Sequence, residues 1–245
     1  MPAARRGSRG LAGNLVAGPA SNSTRQAEAN VELYEQDSAY APVEPAFPVT
    51  VQTRPRRPGR AEIEAAVRIL IAAAGDDPDR EGVAGTPDRV ARAYEEWFSG
   101  YTIDPARLLE RTFSEAEGYD ETILLRDIPL VSTCEHHLAP ITGRAHIAYR
   151  PAGRVVGISK LSRLVDAYAR RLQLQERLTR QIATTLYETL RARGAAIIIE
   201  ASHGCMSTRG VNQHGVSMVT KCWLGDFEHD PALRRELLES IGAGR

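Results

Sequence analysis

From Gly59 onward the apolar positions fall into periods. Ile63, Ala66, Val67, Leu70, Ile71 and Ala74 recur at spacings of three and four, which predicts an amphipathic helix with one apolar face. Thr86-Pro87-Asp88-Arg89 predicts the start of a second helix, with Thr86 as N-cap, Pro87 at the first helical position, and Val90, Tyr94 and Trp97 turned inward. Asp104-Pro105 predicts a short third one. The pattern then changes to strand, because β-branched and apolar residues cluster between turn residues over Thr122 to Val131 and Gly143 to Tyr149. Ser159 to Arg171 and Leu174 to Arg193 read as helices, and Ala195 to Ala201 and Val216 to Leu224 as strands. The order over residues 122–224 is therefore ββααββ, an α+β class with N-terminal helices in front. Residues 1–58 show neither period; Gly, Ala, Ser, Asn and Pro are scattered up to Thr53-Arg54-Pro55-Arg56-Arg57-Pro58, which predicts a disordered extension. One domain over 59–245 follows, divided into a helical part (59–118), a ββααββ core (119–228) and a C-terminal helix (229–245).

Composition narrows the class. At 245 residues and 42% hydrophobic content, the chain is long enough for one substantial core. Lys+Arg and Asp+Glu both number 31, so the excess charge expected of a nucleic-acid or membrane-surface protein is missing, and no such partner is predicted. The most apolar runs, Val67 to Ala74 and Ala195 to Ala201, are far shorter than a membrane span. Three cysteines, an odd number, with no apolar signal-peptide core ahead of the chain, favour a reducing, cytoplasmic compartment over a disulfide between Cys134 and Cys205. The first 27 residues hold Arg5, Arg6, Arg9 and Arg25 and no acid, which suits an organellar transit peptide in composition but lacks its amphipathic pattern.

The candidate chemistry lies at Cys134-Glu135-His136-His137 and at His203-Gly204-Cys205. Cys134 and His137, three apart in a turn, can point at one ion, and Cys205 can close a third corner. Two thiolates and an imidazole suit zinc, and three protein ligands leave a position for water, as in catalytic rather than structural sites. His136 and His203 stand beside it as proton carriers with near-neutral intrinsic pKa values. A structural zinc would need a fourth ligand from His136, His146 or Cys222. Cys222 alternates with Val216, Met218 and Leu224 and so reads as a packed thiol of the core. The His-x-Glu and Pro-Cys-x-x-Cys pattern of zinc deaminases is not present.

On the helix from Ser159, Leu161, Leu164, Val165, Tyr168 and Leu172 form one stripe, while Lys160, Arg163, Arg170 and Arg171 fall away from it. A solvated face is the plain reading of those charges. Lys160 favours function, since the chain has only two lysines, Lys160 and Lys221, among its 31 basic residues. Arg209 and Arg89 are further candidates to meet an anion through paired guanidinium hydrogen bonds. Glu176, in the first turn of the next helix, has a plain reading as a helix-dipole partner or a pair with Arg180. Its functional reading is a carboxylate accepting the N1–H and exocyclic amino group of guanine, with Gln175 adding a hydrogen bond. No P-loop is present.

Ser132-Thr133-Cys134-Glu135-His136-His137, Gly157-Ile158-Ser159-Lys160-Leu161-Ser162-Arg163, Gln173-Leu174-Gln175-Glu176-Arg177-Leu178-Thr179 and His203-Gly204-Cys205-Met206-Ser207-Thr208-Arg209-Gly210 resemble GTP cyclohydrolase I, as does Gly85-Thr86-Pro87-Asp88-Arg89-Val90. The resemblance spans about residues 60–228. It implies a tunnelling fold whose subunits form pentameric rings stacked as a homodecamer, with active sites between subunits. It implies one Zn2+ per subunit on Cys134, His137 and Cys205, and conversion of GTP and water to 7,8-dihydroneopterin triphosphate and formate, the first step of tetrahydrofolate and pterin synthesis. By the same resemblance His203 would protonate the purine and His136 would serve ring opening. Gln175 and Glu176 would read guanine, Ser159 would lie near the sugar, and Lys160, Arg163, Arg209 and Arg89 would hold the triphosphate. A pyruvoyl-tetrahydropterin synthase, the competing tunnelling-fold enzyme, binds zinc with three histidines, which Cys134 and Cys205 do not match.

Overall fold

The computed structural model describes residues 56–113 and 119–242; all but the last three residues of the predicted disordered extension lie outside the described residues. Two helices come first, α1 (Arg60–Ala73) and α2 (Thr86–Trp97), followed by 3-10 turns at Ser99–Thr102 and Ala106–Leu109. The core then runs β1 (Thr112–Phe113), β2 (Ile123–Cys134), β3 (Pro140–Arg150), β4 (Val155–Val156), α3 (Ile158–Ala169), β5 (Leu172–Gln173), α4 (Gln175–Leu190) and β6 (Gly194–His203). It closes with the single turn α5 (Gly204–Ser207), β7 (Met218–Gly225), the short α6 (Asp226–His229) and α7 (Pro231–Gly242).

The five-stranded sheet has the order β5-β2-β3-β6-β7, antiparallel except for the short parallel pairing of β5 with β2. β1 pairs separately with β4. Helices α3 and α4 pack on one face, where Leu161, Leu164, Leu178, Ile182 and Leu186 meet Leu130, Ile147, Ile197 and Ile199 in the main core. The uninterrupted apolar run of β6 has a simple cause: at Ile198 it also faces Phe227, Leu237 and Ile241 of α6 and α7, so this strand is covered on both sides. Toward the other end of the sheet that second face is bare, with Val131 and Val219 63% and 51% exposed. No helix of the described residues is long and apolar enough to cross a membrane.

Several expectations shift. α2 begins one residue earlier than the proline signal implied, with Gly85 rather than Thr86 at the N-cap. Its buried line is Pro87 and Ala91, whereas Trp97, expected inward, is 51% exposed beside Tyr94. On α1 only Val67 is buried; Leu70 lies 66% exposed, because one neighbouring helix cannot cover the whole apolar face. Asp104-Pro105 opens a 3-10 turn, its carboxylate accepting the Ala106 N–H at 3.1 Å. Cys222, with Leu224, packs against the main core as the alternation predicts.

Arg170 and Arg171 leave the basic stripe for structural work. Arg170 pairs with Asp166 and donates to the Glu96 carbonyl at 3.1 Å. Arg171 donates to the carbonyls of Gly100 and Ile103 at 3.1 and 3.2 Å and stacks over Tyr168. These bonds fasten the N-terminal helical segment to the end of α3. The approach is close enough to require glycine at 100, where a Cβ would meet the Ala167 carbonyl oxygen at 2.3 Å and that of Arg170 at 2.7 Å. Gly100→Ala is expected to cost about 1–3 kcal/mol of stability, the usual range for overpacking, read as a lower urea midpoint with a normal m-value.

Candidate metal centre and active site

β2 runs further than the sequence pattern implied. Cys134 is its last residue and β3 resumes at Pro140, so the cysteine sits on the sheet and only the residues between occupy the turn. The turn closes by Leu138 N–H to Cys134 C=O at 2.9 Å and Cys134 N–H to Ala139 C=O at 2.8 Å. Leu138 holds φ at 53°, a left-handed conformation that a branched side chain pays for in strain and that the two closing bonds enforce. Arg177 anchors the same turn from α4: it pairs with Glu135 and donates to Gln173 Oε1 at 3.3 Å and the Leu172 carbonyl at 3.1 Å.

The second half-site arrives on β6. His203 ends that strand opposite Ile141, and the single turn of α5 presents Cys205. A Cβ on Gly204 would lie 3.1 Å from the Pro140 carbonyl oxygen, so glycine lets this turn rest against β3. The Cys134 sulfur stands 3.9 Å from His137 Nδ1, and the ligand atoms of Cys134, His137 and Cys205 all lie within 4.8 Å of one another. Tetrahedral zinc with these ligands spaces them about 3.5–3.8 Å apart. A small contraction closes the set on an ion, and the soft donor chemistry fits zinc.

The alternative fourth ligands do not join the group. His146 is buried in mid-strand, its Nδ1 accepting the Asp127 N–H at 3.3 Å, and Cys222 belongs to the core. His136 lies on the surface, its ring 6.2 Å from that of His137 and edge-on to it. Cys134 and Cys205 are free thiols. Burial first, and then the adjacent Cys134 sulfur, hold the Cys205 thiol above its ordinary pKa.

Around this cluster stand four more expected residues. Arg209 Nη1 is 3.2 Å from His137 Nε2. His203 is half-buried, and desolvation holds its imidazole below the ordinary value, opposed by the negative charge of Glu176, which is itself exposed. Gln175 is fully buried: its Nε2, with two hydrogens, lies 3.1 and 3.0 Å from the carbonyl oxygens of Ile199 and Met218 and 3.1 Å from Thr220 Oγ1, while its Oε1 lies 2.8 Å from His203 Nε2.

The remaining expected residues are elsewhere. The C-terminal end of α3 is at the metal end of the sheet, since the Ala169 carbonyl accepts from Ser132 Oγ at 2.7 Å and β5 pairs Gln173 with Cys134. Ser159 and Lys160 lie on the first turn of that helix, at its opposite end, and Arg163 lies at its middle. Lys160 precedes Ala169 by nine positions, about 14 Å along the axis at 1.5 Å per residue. Arg89 is exposed on α2 with its guanidinium folded over Gly85. Sequence reasoning assigned no role to Arg177 and Thr179, which lie within a family-like motif, or to Thr220. Thr179, four residues after Gln175 and hence on the same helix face, carried the one available signal; its hydroxyl donates to the Gln175 carbonyl at 2.7 Å and meets Thr220 Oγ1 at 2.6 Å.

Residues 63–242 match the family model for GTP cyclohydrolase I. The chain belongs to that family. The GTP cyclohydrolase 1 of Maricaulis maris (strain MCS10) is 52% identical over 185 residues, covering 76% of this chain and 90% of the relative. That of Brucella canis (strain ATCC 23365 / NCTC 10854 / RM-666) is 49% identical over 196 residues, covering 80% and 91%. The solved apo structure of an archaeosine synthase QueF-Like aligns at 17% identity and a TM-score of 0.36 over 42% of this chain and 93% of that one, too slight a likeness to bear on this GTP cyclohydrolase I family member.

Proposed function

We propose that this protein is a zinc-dependent GTP cyclohydrolase I, which opens the imidazole ring of GTP with water, releases C8 as formate, and rearranges the ribose to close the ring of 7,8-dihydroneopterin triphosphate. The observation that carries the reading is the convergence of Cys134, His137 and Cys205 on one point, with His203, Glu176 and Arg209 around it, in a chain of this family. Zinc, when bound there, supplies Lewis acidity that brings the pKa of water near 7.

The chain's own residues do the rest. The Glu176 carboxylate accepts the N1–H and 2-amino group of guanine, which orients the purine. His203 delivers a proton to the imidazole-ring nitrogen as C8 is hydrated, and His136 serves proton transfer as the ring opens and C8 departs as formate. Arg209, already beside His137, offers a guanidinium to the triphosphate.

Ser159 and Lys160 stand about 14–15 Å along α3 from the metal end, and Arg163 about 9 Å, by helix rise. That separation supports a site completed by a neighbouring subunit's α3. The bare sheet face at Val131 and Val219 and the uncovered α1 residues Ile69 and Leu70 support assembly too. Pentameric rings stacked as a decamer, with GTP bound between subunits, fit both observations, and Arg89 joins the triphosphate from such a contact.

Release of formate from GTP by the purified, zinc-loaded protein tests the reading; a fully assembled, loaded protein that releases none rejects it. Glu176→Ala is expected to weaken GTP selectively, because a donor pair left without its acceptor costs about 1–3 kcal/mol, or about 5–150-fold in kcat/KM at 1.4 kcal/mol per decade. The same variant should lose preference for GTP over inosine triphosphate, which lacks the 2-amino group. An unchanged preference would return Glu176 to a helix-end charge.

A further inference from the structure

Every polar atom of the Gln175 side chain has a partner. Its side chain is fully buried, and its amide nitrogen faces the carbonyl oxygens of Ile199 and Met218, which only accept. That fixes which end of the amide is which: nitrogen toward β6 and β7, oxygen toward His203. Thr220 Oγ1 takes a third contact from the same nitrogen and is itself held by Thr179 Oγ1 at 2.6 Å. The oxygen, fixed from behind by this network, lies 2.8 Å from His203 Nε2. An amide oxygen cannot donate, so the hydrogen of that bond belongs to Nε2.

We propose that Gln175 is a positioning residue that acts through His203 and does not read the guanine: its fixed oxygen keeps a hydrogen on Nε2 and the ring in one orientation, so that Nδ1 is the nitrogen that carries the transferred proton to the substrate. The inference rests on the reading of His203 as the proton carrier. Positioning of this kind matters because a histidine with the wrong nitrogen protonated, or a ring free to rotate, offers the reacting atom no lone pair or proton at the needed place. The neighbouring Glu176 has no such restraint on its carboxylate, being exposed at the start of α4, which leaves guanine recognition to it.

The test uses Gln175→Met, close in length and unable to accept from Nε2–H, in the zinc-loaded full-length protein. Formate release is expected to fall about 10–100-fold in kcat, part of what a general acid contributes, with KM for GTP and the preference for GTP over inosine triphosphate kept. In a His203→Ala background the same change should add no further loss. In 15N-histidine-labelled protein, the His203 signals, assigned by their disappearance in His203→Ala, should show the Nε2–H tautomer in the parent and a mixture in Gln175→Met. Thr220→Val, which removes one support of the amide, should move kcat and the tautomer signals in the same direction to a smaller extent and serves if Gln175→Met does not assemble.

A raised KM with lost guanine preference would overturn the inference in favour of direct base contact. Independent, multiplying losses in the double variant, or an Nδ1–H tautomer in the parent, would overturn it as well. If the parent released no formate from GTP, the proposed function would fail instead, while the tautomer measurement would still decide whether Gln175 sets the ring.

Discussion

Cys205→Ala is expected to lose both bound zinc and formate release. Three protein ligands define the centre, and Cys205 alone comes from the β6 side of it, so its removal leaves Cys134 and His137 on a single turn. Polarisation by the metal is worth several kcal/mol in a reaction of this kind; at 1.36 kcal/mol per decade its loss means about 10³-fold or more in rate. Elemental analysis of the purified variant and a formate assay read the two effects together. Cys222→Ala is the control, because that thiol packs in the core and should leave the metal in place. Full GTP turnover by rigorously metal-free protein would reject a catalytic zinc altogether.

His136→Ala and His203→Ala are expected to cut turnover by about 10²–10⁴-fold, the usual contribution of a general acid or base, with zinc content retained. Neither imidazole belongs to the converging ligand set. Loss of zinc from His136→Ala would instead make His136 a ligand. The placement of α3 sharpens the test of a shared site. If Lys160 serves a neighbour's metal centre, co-refolding His136→Ala with Lys160→Ala should create some sites carrying neither defect and restore part of the activity. Mixing His136→Ala with Arg209→Ala should restore none, since Arg209 touches His137 within one chain. Restoration by the Arg209 mixture, or an active monomer on size measurement, would reject this division between subunits.

Much of the architecture was legible in periodicity. The alternation in β7 placed Cys222 on the core side, and the apolar run of Ala195 to Ala201 read as a strand, because strand period and burial both leave their mark on residue type; that β6 is covered on two sides came from the structure. Cys134 and His137 were readable as a ligand pair because three residues of one turn separate them, and local spacing alone brings them together. Elsewhere the chain's own chemistry was ambiguous. Arg170 and Arg171 have the same pattern as Lys160 and Arg163, yet one pair binds the Glu96, Gly100 and Ile103 carbonyls and the other lies on the first half of α3. Leu70 matches Val67 in period but stays exposed, for periodicity specifies a face and not the partner that covers it. Gln175 and Glu176 are neighbours in sequence; helical geometry turns one into the sheet, where Ile199, Met218, Thr220 and His203 use every polar atom it has, and the other toward solvent. Residue identities thus determined which groups were capable of chemistry. Only the packing of β6 and β7 against the start of α4 decided which of them stayed exposed and which were enclosed by partners, because each hydrogen-bonding group has few directions and a buried one directs them at its neighbours.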